Sequence, residues 1–141
     1  MIILSCDHGG YDLLQNVAKF LKKQHIEYKW MGPTELNPDD DYPDYIIPAC
    51  KEILKAEDNW GIFACGSGIG VNMVANRHKG IRAVCANDVE TAFLSRRHNN
   101  ANVLTMGGRI VGSRYAIKIV KMFLSTEYEG GRHDRRLAKF N

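Results

Sequence analysis

Residues 60–71 read Trp60-Gly61-Ile62-Phe63-Ala64-Cys65-Gly66-Ser67-Gly68-Ile69-Gly70-Val71. An apolar run ends at a cysteine, and glycines then alternate with Ser67 and Ile69. The run is continuous rather than alternating, as in a parallel strand buried on both faces. The spacing therefore predicts a strand over 61–65, a tight loop, and a helix opened by that loop. The same stretch is the longest uncharged apolar one, and it is too short and too rich in glycine to span a bilayer.

Working outward, similar runs occupy 2–6, 81–86 and 101–106, and 26–31 is a weaker strand candidate. Helical stripes lie between them. Leu14, Val17 and Leu21 share one face, flanked by Leu13 and Phe20. Ile47, Cys50 and Leu54 repeat the spacing, as do Ile117, Val120 and Leu124. Asp88 or Asn87 is placed to cap a helix running to about Arg97, and Ser113 to cap the last long one. Gly130-Gly131 breaks the chain ahead of a short terminal helix. Pro43 suits a first helical turn. Pro48 would then interrupt the same helix, so that helix either starts late or kinks.

Alternation of strand and helix predicts one α/β domain over 1–141: a Rossmann-like three-layer sandwich around a mostly parallel five-stranded sheet. At 141 residues the chain matches one ordinary domain. With 45% hydrophobic and 25% charged residues it is not a disordered chain. The net charge of +3 is too balanced to argue for nucleic acid, and no segment argues for a membrane. Residues 130–141 alone carry a charge equal to that of the whole chain. Asp7 follows the first run so closely that the N-terminus reads as a strand rather than a signal peptide. The cysteines, Cys6, Cys50, Cys65 and Cys85, form no CxxC pair, which argues against a zinc knuckle and for free thiols in a cytoplasmic protein.

Ligands of parallel α/β sheets sit beyond the carboxyl ends of the strands. Asp7-His8-Gly9-Gly10 follows the first strand, Gly66 to Gly70 the third, and Gly107-Gly108-Arg109 the fifth. The glycine loop offers converging backbone N–H groups to a phosphate or to an oxyanion formed in catalysis. A dinucleotide fingerprint needs Gly or Ala at 71, where this chain has Val. Beside the loop, Cys65 sits where a helix N-terminus favours a thiolate, a competent base or nucleophile. Spacing alone favours the plainer reading, a buried thiol at a strand end. His98 closes a helix within Arg96-Arg97-His98-Asn99-Asn100, where basic residues are ordinary dipole partners. His25, His78 and His133 carry no motif and read as solvated. Arg132 and Arg136, four apart, would share a helix face able to clamp a phosphate, or form a solvated tail.

Taken together, CDHGG at 6–10, DYPDY at 41–45, CGSGIG at 65–70, RRHNNANVLTMGGR at 96–109 and GGRHDRR at 130–136 resemble the ribose-5-phosphate isomerase B family, which includes the galactose-6-phosphate isomerase subunits. The resemblance implies an aldose–ketose isomerase of a sugar phosphate, working without metal or cofactor. It implies Cys65 as the base that moves a proton between C1 and C2, with Gly66, Ser67, Gly68, Ile69 and Gly70 as the enediolate's anion hole. It implies His98 in ring opening and Asn99, Asp7, His8 and Tyr42 as substrate contacts. Arg109, Arg132 and Arg136 become polar and phosphate contacts. A homodimer or tetramer with sites shared between subunits is implied too. Ser67 stands where many members have Thr, and Pro48 is unusual in its segment. Ribose 5-phosphate is the expected substrate. The alternatives are allose or galactose 6-phosphate, or a non-catalytic sugar-phosphate-binding module.

Overall fold

Five short apolar segments pair side by side into one sheet in the computed structural model, which describes residues 1–140. They are β1 (Ile2–Cys6), β2 (Tyr28–Trp30), β3 (Trp60–Cys65), β4 (Ala83–Cys85) and β5 (Val103–Gly107). Every pairing is parallel, and the order is β2-β1-β3-β5-β4. The central strands are buried on both faces, which explains their unbroken apolar runs. The edge strands are shorter than the sequence suggests, because their ends lack a neighbour on one side. At the β4 edge the Asn76 side chain substitutes for that neighbour. Its Nδ2 donates to the Ala83 carbonyl and its Oδ1 accepts from the Ala83 N–H, both at 2.9 Å.

The helices are α1 (Tyr11–Lys23), α2 (Tyr42–Ile53), α3 (Ile69–Ala75), α4 (Val89–Asn99), α5 (Ser113–Ser125) and α6 (Arg132–Leu137). One face of the sheet, with Leu4, Ile62 and Leu104, packs against α1, α4 and α5 through Leu14, Ala92 and Phe123. The other face, with Ile3 and Phe63, packs against α2 and α3 through Ile46, Ile53 and Val71. This is the three-layer sandwich that the alternation predicts. No helix among the described residues is long and apolar enough to cross a membrane.

Three local expectations change. The buried face of α2 is Ile46, Ala49, Cys50 and Ile53, while Ile47 and Leu54 are exposed. The helix starts at Tyr42 and contains Pro48, whose exposed position leaves the Asp44 carbonyl open to water. Ser113 is the first residue of α5 rather than its cap, and its hydroxyl accepts from Asn16 Nδ2 at 3.1 Å. Asp88 does cap α4, accepting from the Thr91 N–H.

Candidate active site

From the middle of the sheet, β2 lies to one side of β1, and β3, β5 and β4 to the other. The loops after β1 and β3 therefore diverge, leaving a crevice at the carboxyl ends. A cleft of about 650 Å³ fills it, lined by Asp7, His8, Tyr42, Cys65, Ser67 and Arg109, with Gly9, Gly66, Ile69, Gly70 and Ile110.

Each wall follows from local sequence. Asp7 Oδ1 accepts from the N–H groups of Gly9 and Gly10, at 2.8 and 3.2 Å, and so folds the chain into a 3-10 turn. Burial pushes the Asp7 carboxyl up, against the opposing pull of His8 and of those two amides. Gly9 must be glycine, because a Cβ there would stand 2.7 Å from the Gly66 nitrogen. Gly68 has φ +81, and a Cβ on it would meet Met106 backbone at 2.7 Å. The Thr105 hydroxyl ties this loop to β5 by donating to the Gly68 carbonyl at 2.8 Å. The Tyr42 ring covers Gly70, and the Arg109 guanidinium lies over Gly66.

Cys65 ends β3 on the cleft floor, 5% exposed. The Gly68 N–H donates to its Sγ at 3.2 Å. Burial pushes Cys50 up to about 12 and raises Cys6 strongly; it also raises Cys85, at the half-exposed end of β4. Within the loop the Ile69 N–H donates to Ser67 Oγ at 3.2 Å, and the Arg109 N–H donates to the Gly66 carbonyl at 3.0 Å.

The cleft thus gathers Asp7, His8, Tyr42, Cys65, Gly66, Ser67, Ile69, Gly70 and Arg109. Gly68 is buried behind it. His98, Asn99, Arg132 and Arg136 lie elsewhere. α4 starts beyond the carboxyl end of β4 and runs back, so its last residues, His98 and Asn99, reach the amino edge of the sheet. Asn99 lines a separate cavity beside Ser95 and Phe140. Arg132 and Arg136 are exposed on α6, which packs on α4.

His133 is not solvated. It is 5% exposed and stacks on His98, with ring centroids 4.6 Å apart and planes 20° apart. Burial, then the His98 and Arg132 charges, lower its pKa. Its place in Arg132-His133-Asp134 was the only sequence signal. Asp40 was also missed: it joins Asp7 and His8 in a group of potential metal ligands, as Glu129 joins His98 and His133. In each group the candidate ligand atoms lie within 4.8 Å of one another, and in the first His8 Nδ1 and Asp40 Oδ1 are 2.6 Å apart.

A parallel α/β sheet with a thiol, a glycine loop and basic side chains at its switch point defines an enzyme site for a small anionic metabolite. The profile of the ribose/galactose isomerase family matches residues 2–140, and the chain belongs to that family. It is 44% identical to the probable ribose-5-phosphate isomerase B of Mycoplasma pneumoniae, across 98% of this chain and 91% of the relative. It is 38% identical to Escherichia coli ribose-5-phosphate isomerase B, across 96% and 91%. The crystal structure of the Mycoplasma genitalium enzyme with bound ribulose-5-phosphate superposes with TM-score 0.95 at 40% identity, covering 98% of this chain and 91% of that one.

Proposed function

We propose that this chain interconverts ribose 5-phosphate and ribulose 5-phosphate through a 1,2-enediolate. The observation that carries the reading is Cys65 Sγ on the cleft floor with an amide donor on it. Family membership, and relatives named for this reaction, supply the chemistry to fit to that sulfur.

The furanose opens first. A proton leaves the anomeric hydroxyl and one reaches the ring oxygen, work suited to the His98 imidazole. Cys65 thiolate then takes the C2 proton. The C2–H pair becomes the C1–C2 double bond, and the carbonyl pair moves onto O1. Backbone N–H groups of the Gly66–Gly70 loop face the charge that develops there. One such donor contributes ~3 kcal/mol to the transition state. A positioned base adds roughly 10²–10⁴-fold. The proton of the C2 hydroxyl then passes to O1, the pair left on O2 forms the C2 carbonyl, and the C1–C2 double-bond pair takes the thiol's proton at C1, which restores the thiolate. Arg132 and Arg136, or Arg109, hold the phosphate, and that binding energy positions the reacting carbons.

The reading requires a second copy of the chain. His98, Asn99 and the tail arginines belong to the amino edge of the sheet and Cys65 to the carboxyl edge, so the partner supplies the first set to this cleft. Ile69 and Ile110, both exposed and apolar, line the cleft, and exposed Met73 follows Ile69 by one turn of α3; the three suit such a contact.

The test is Cys65→Ala with ribose 5-phosphate in deuterium oxide. Loss of C2 hydrogen exchange with retained phosphate binding is expected. Exchange at the wild-type rate removes Cys65 from the base role. Running the wild type on six-carbon aldose 6-phosphates alongside fixes the sugar.

A further inference from the structure

The loop between β2 and α2 supplies a residue with no part in the mechanism above. Asp40 lies 32 residues from His8 in sequence, yet its Oδ1 accepts from the His8 backbone N–H at 3.0 Å and lies 2.6 Å from His8 Nδ1. One oxygen thus holds both the main chain and the ring of a cleft residue. The Asp40 side chain is 4% exposed, against 28% for His8. Its other oxygen, Oδ2, is buried and has no hydrogen-bond partner among the described residues.

We propose that Asp40 is a positioning residue that fixes the His8 imidazole with its proton on Nδ1 and presents Nε2 to the substrate. This rests on the isomerase reading of the cleft. A carboxylate only accepts, so the nitrogen 2.6 Å from it carries hydrogen. The ring is rigid, and with the backbone held by the same oxygen its plane is set as well. Nε2 is left on the far edge of the ring. There it accepts from a sugar hydroxyl when the ring is neutral and donates to an anionic oxygen when it is protonated. An unrestrained, partly exposed imidazole would have to give up rotamer freedom on each binding event.

The geometry has a second consequence. Asp40 stands two residues before Tyr42, whose ring covers Gly70. The bond to His8 therefore docks the whole segment that brings Tyr42 to the cleft. The other ionisable groups around Asp40 are Asp7, Tyr45 and Cys6. Burial and then the Asp40 charge raise the Tyr45 phenol. Asp7 and Asp40 both raise the Cys6 thiol, after burial.

The experiment combines side-chain nitrogen-15 NMR of the full chain with steady-state kinetics on ribose 5-phosphate. In the wild type, neutral His8 is expected to show a protonated Nδ1 and an unprotonated Nε2. Asp40→Ala should mix the tautomers and lower kcat/KM by about tenfold, the scale of one hydrogen bond to a charged group. Asp40→Asn, which keeps an accepting oxygen, should restore both. In a His8→Ala background, which keeps only the main-chain bond to Asp40, Asp40→Ala should cost clearly less than in the wild type. An equal loss in both backgrounds, or an unchanged His8 tautomer in Asp40→Ala, overturns the proposal and reduces Asp40 to a clamp on the loop. Absence of isomerase activity in the wild type overturns the functional reading instead, and the tautomer measurement alone then decides the role of Asp40.

Discussion

At the scale of single residues, burial separates groups that look alike in sequence. His98 and His133 differ most sharply. One closes an exposed helix end. The other is packed beneath it, where burial and the His98 charge hold its pKa below the ordinary 6.5. The unfolded chain therefore binds a proton at His133 that the native chain resists. Stability contributed by neutral His133 is present above pH 6.5 and is lost as pH falls through that value. Urea unfolding should show a lower midpoint at about pH 5.5 than at about pH 7.5, and a smaller drop in His133→Gln, which cannot take up the proton. An identical drop in both proteins would mean that His133 titrates normally. Cys65 carries a parallel lesson. Its place before a glycine loop was legible, but its exposure to a cleft was not, because that depends on where the loops after β1 and β5 pass.

At the scale of elements, the period of a helix was easier to read than its orientation. In α2 the stripe through Ile46, Ala49 and Ile53 and the stripe through Ile47, Cys50 and Leu54 have the same spacing. Docking on β1 and β3 chose the first and kept only Cys50 of the second. In α5 likewise, Ala116, Ile119, Val120 and Phe123 are buried, and Ile117 and Leu124 flank them. Arg96 and Arg97 both looked like dipole partners. Arg97 is one, in an exposed pair with Glu129 at 3.1 Å. Arg96 is 5% exposed, with its guanidinium 3.9 Å from the centre of the Trp60 ring. It donates to the Ala101 carbonyl at 2.6 Å and to Asn100 Oδ1 at 2.9 Å, and so closes α4 and feeds β5. Arg96→Met should cost about 2–4 kcal/mol, from a buried carbonyl left without its donor and a lost cation–π contact. Arg97→Ala should cost about 0–1 kcal/mol. Denaturant midpoints check both, and equal costs would remove the special role given to Arg96.

At the scale of the whole molecule, the topology sets His98 and Cys65, the two groups of the proposed reaction, at opposite edges of a sheet. No helix of the length of α4 can bring His98 back to the cleft of its own chain, since it starts at one edge and ends at the other. The proposed function therefore calls for a two-fold pair in which each copy would lend its amino edge to the other's cleft. Mixing Cys65→Ala with His98→Asn subunits then has a numerical outcome. Each variant alone should be nearly inactive. After unfolding and co-refolding, half the pairs are mixed and each mixed pair has one intact site, so activity should recover to roughly one quarter of the wild type. No recovery, with mixed pairs present by mass spectrometry, would place both residues in the same chain's site.

The sequence by itself determined the class of fold, the parallel strands and the loops that end them, because burial on both faces, helical period and glycine loops are written locally. It also carried the family, in five short segments whose order along the chain is specific. Only the tertiary structure decided which helical stripe faces inward, that Arg96 and His133 are buried, that Asp40 reaches His8, and that Cys65 and His98 stand at opposite edges. Those outcomes come from contacts between residues far apart in the chain, and the preferences of neighbouring residues carry no record of them.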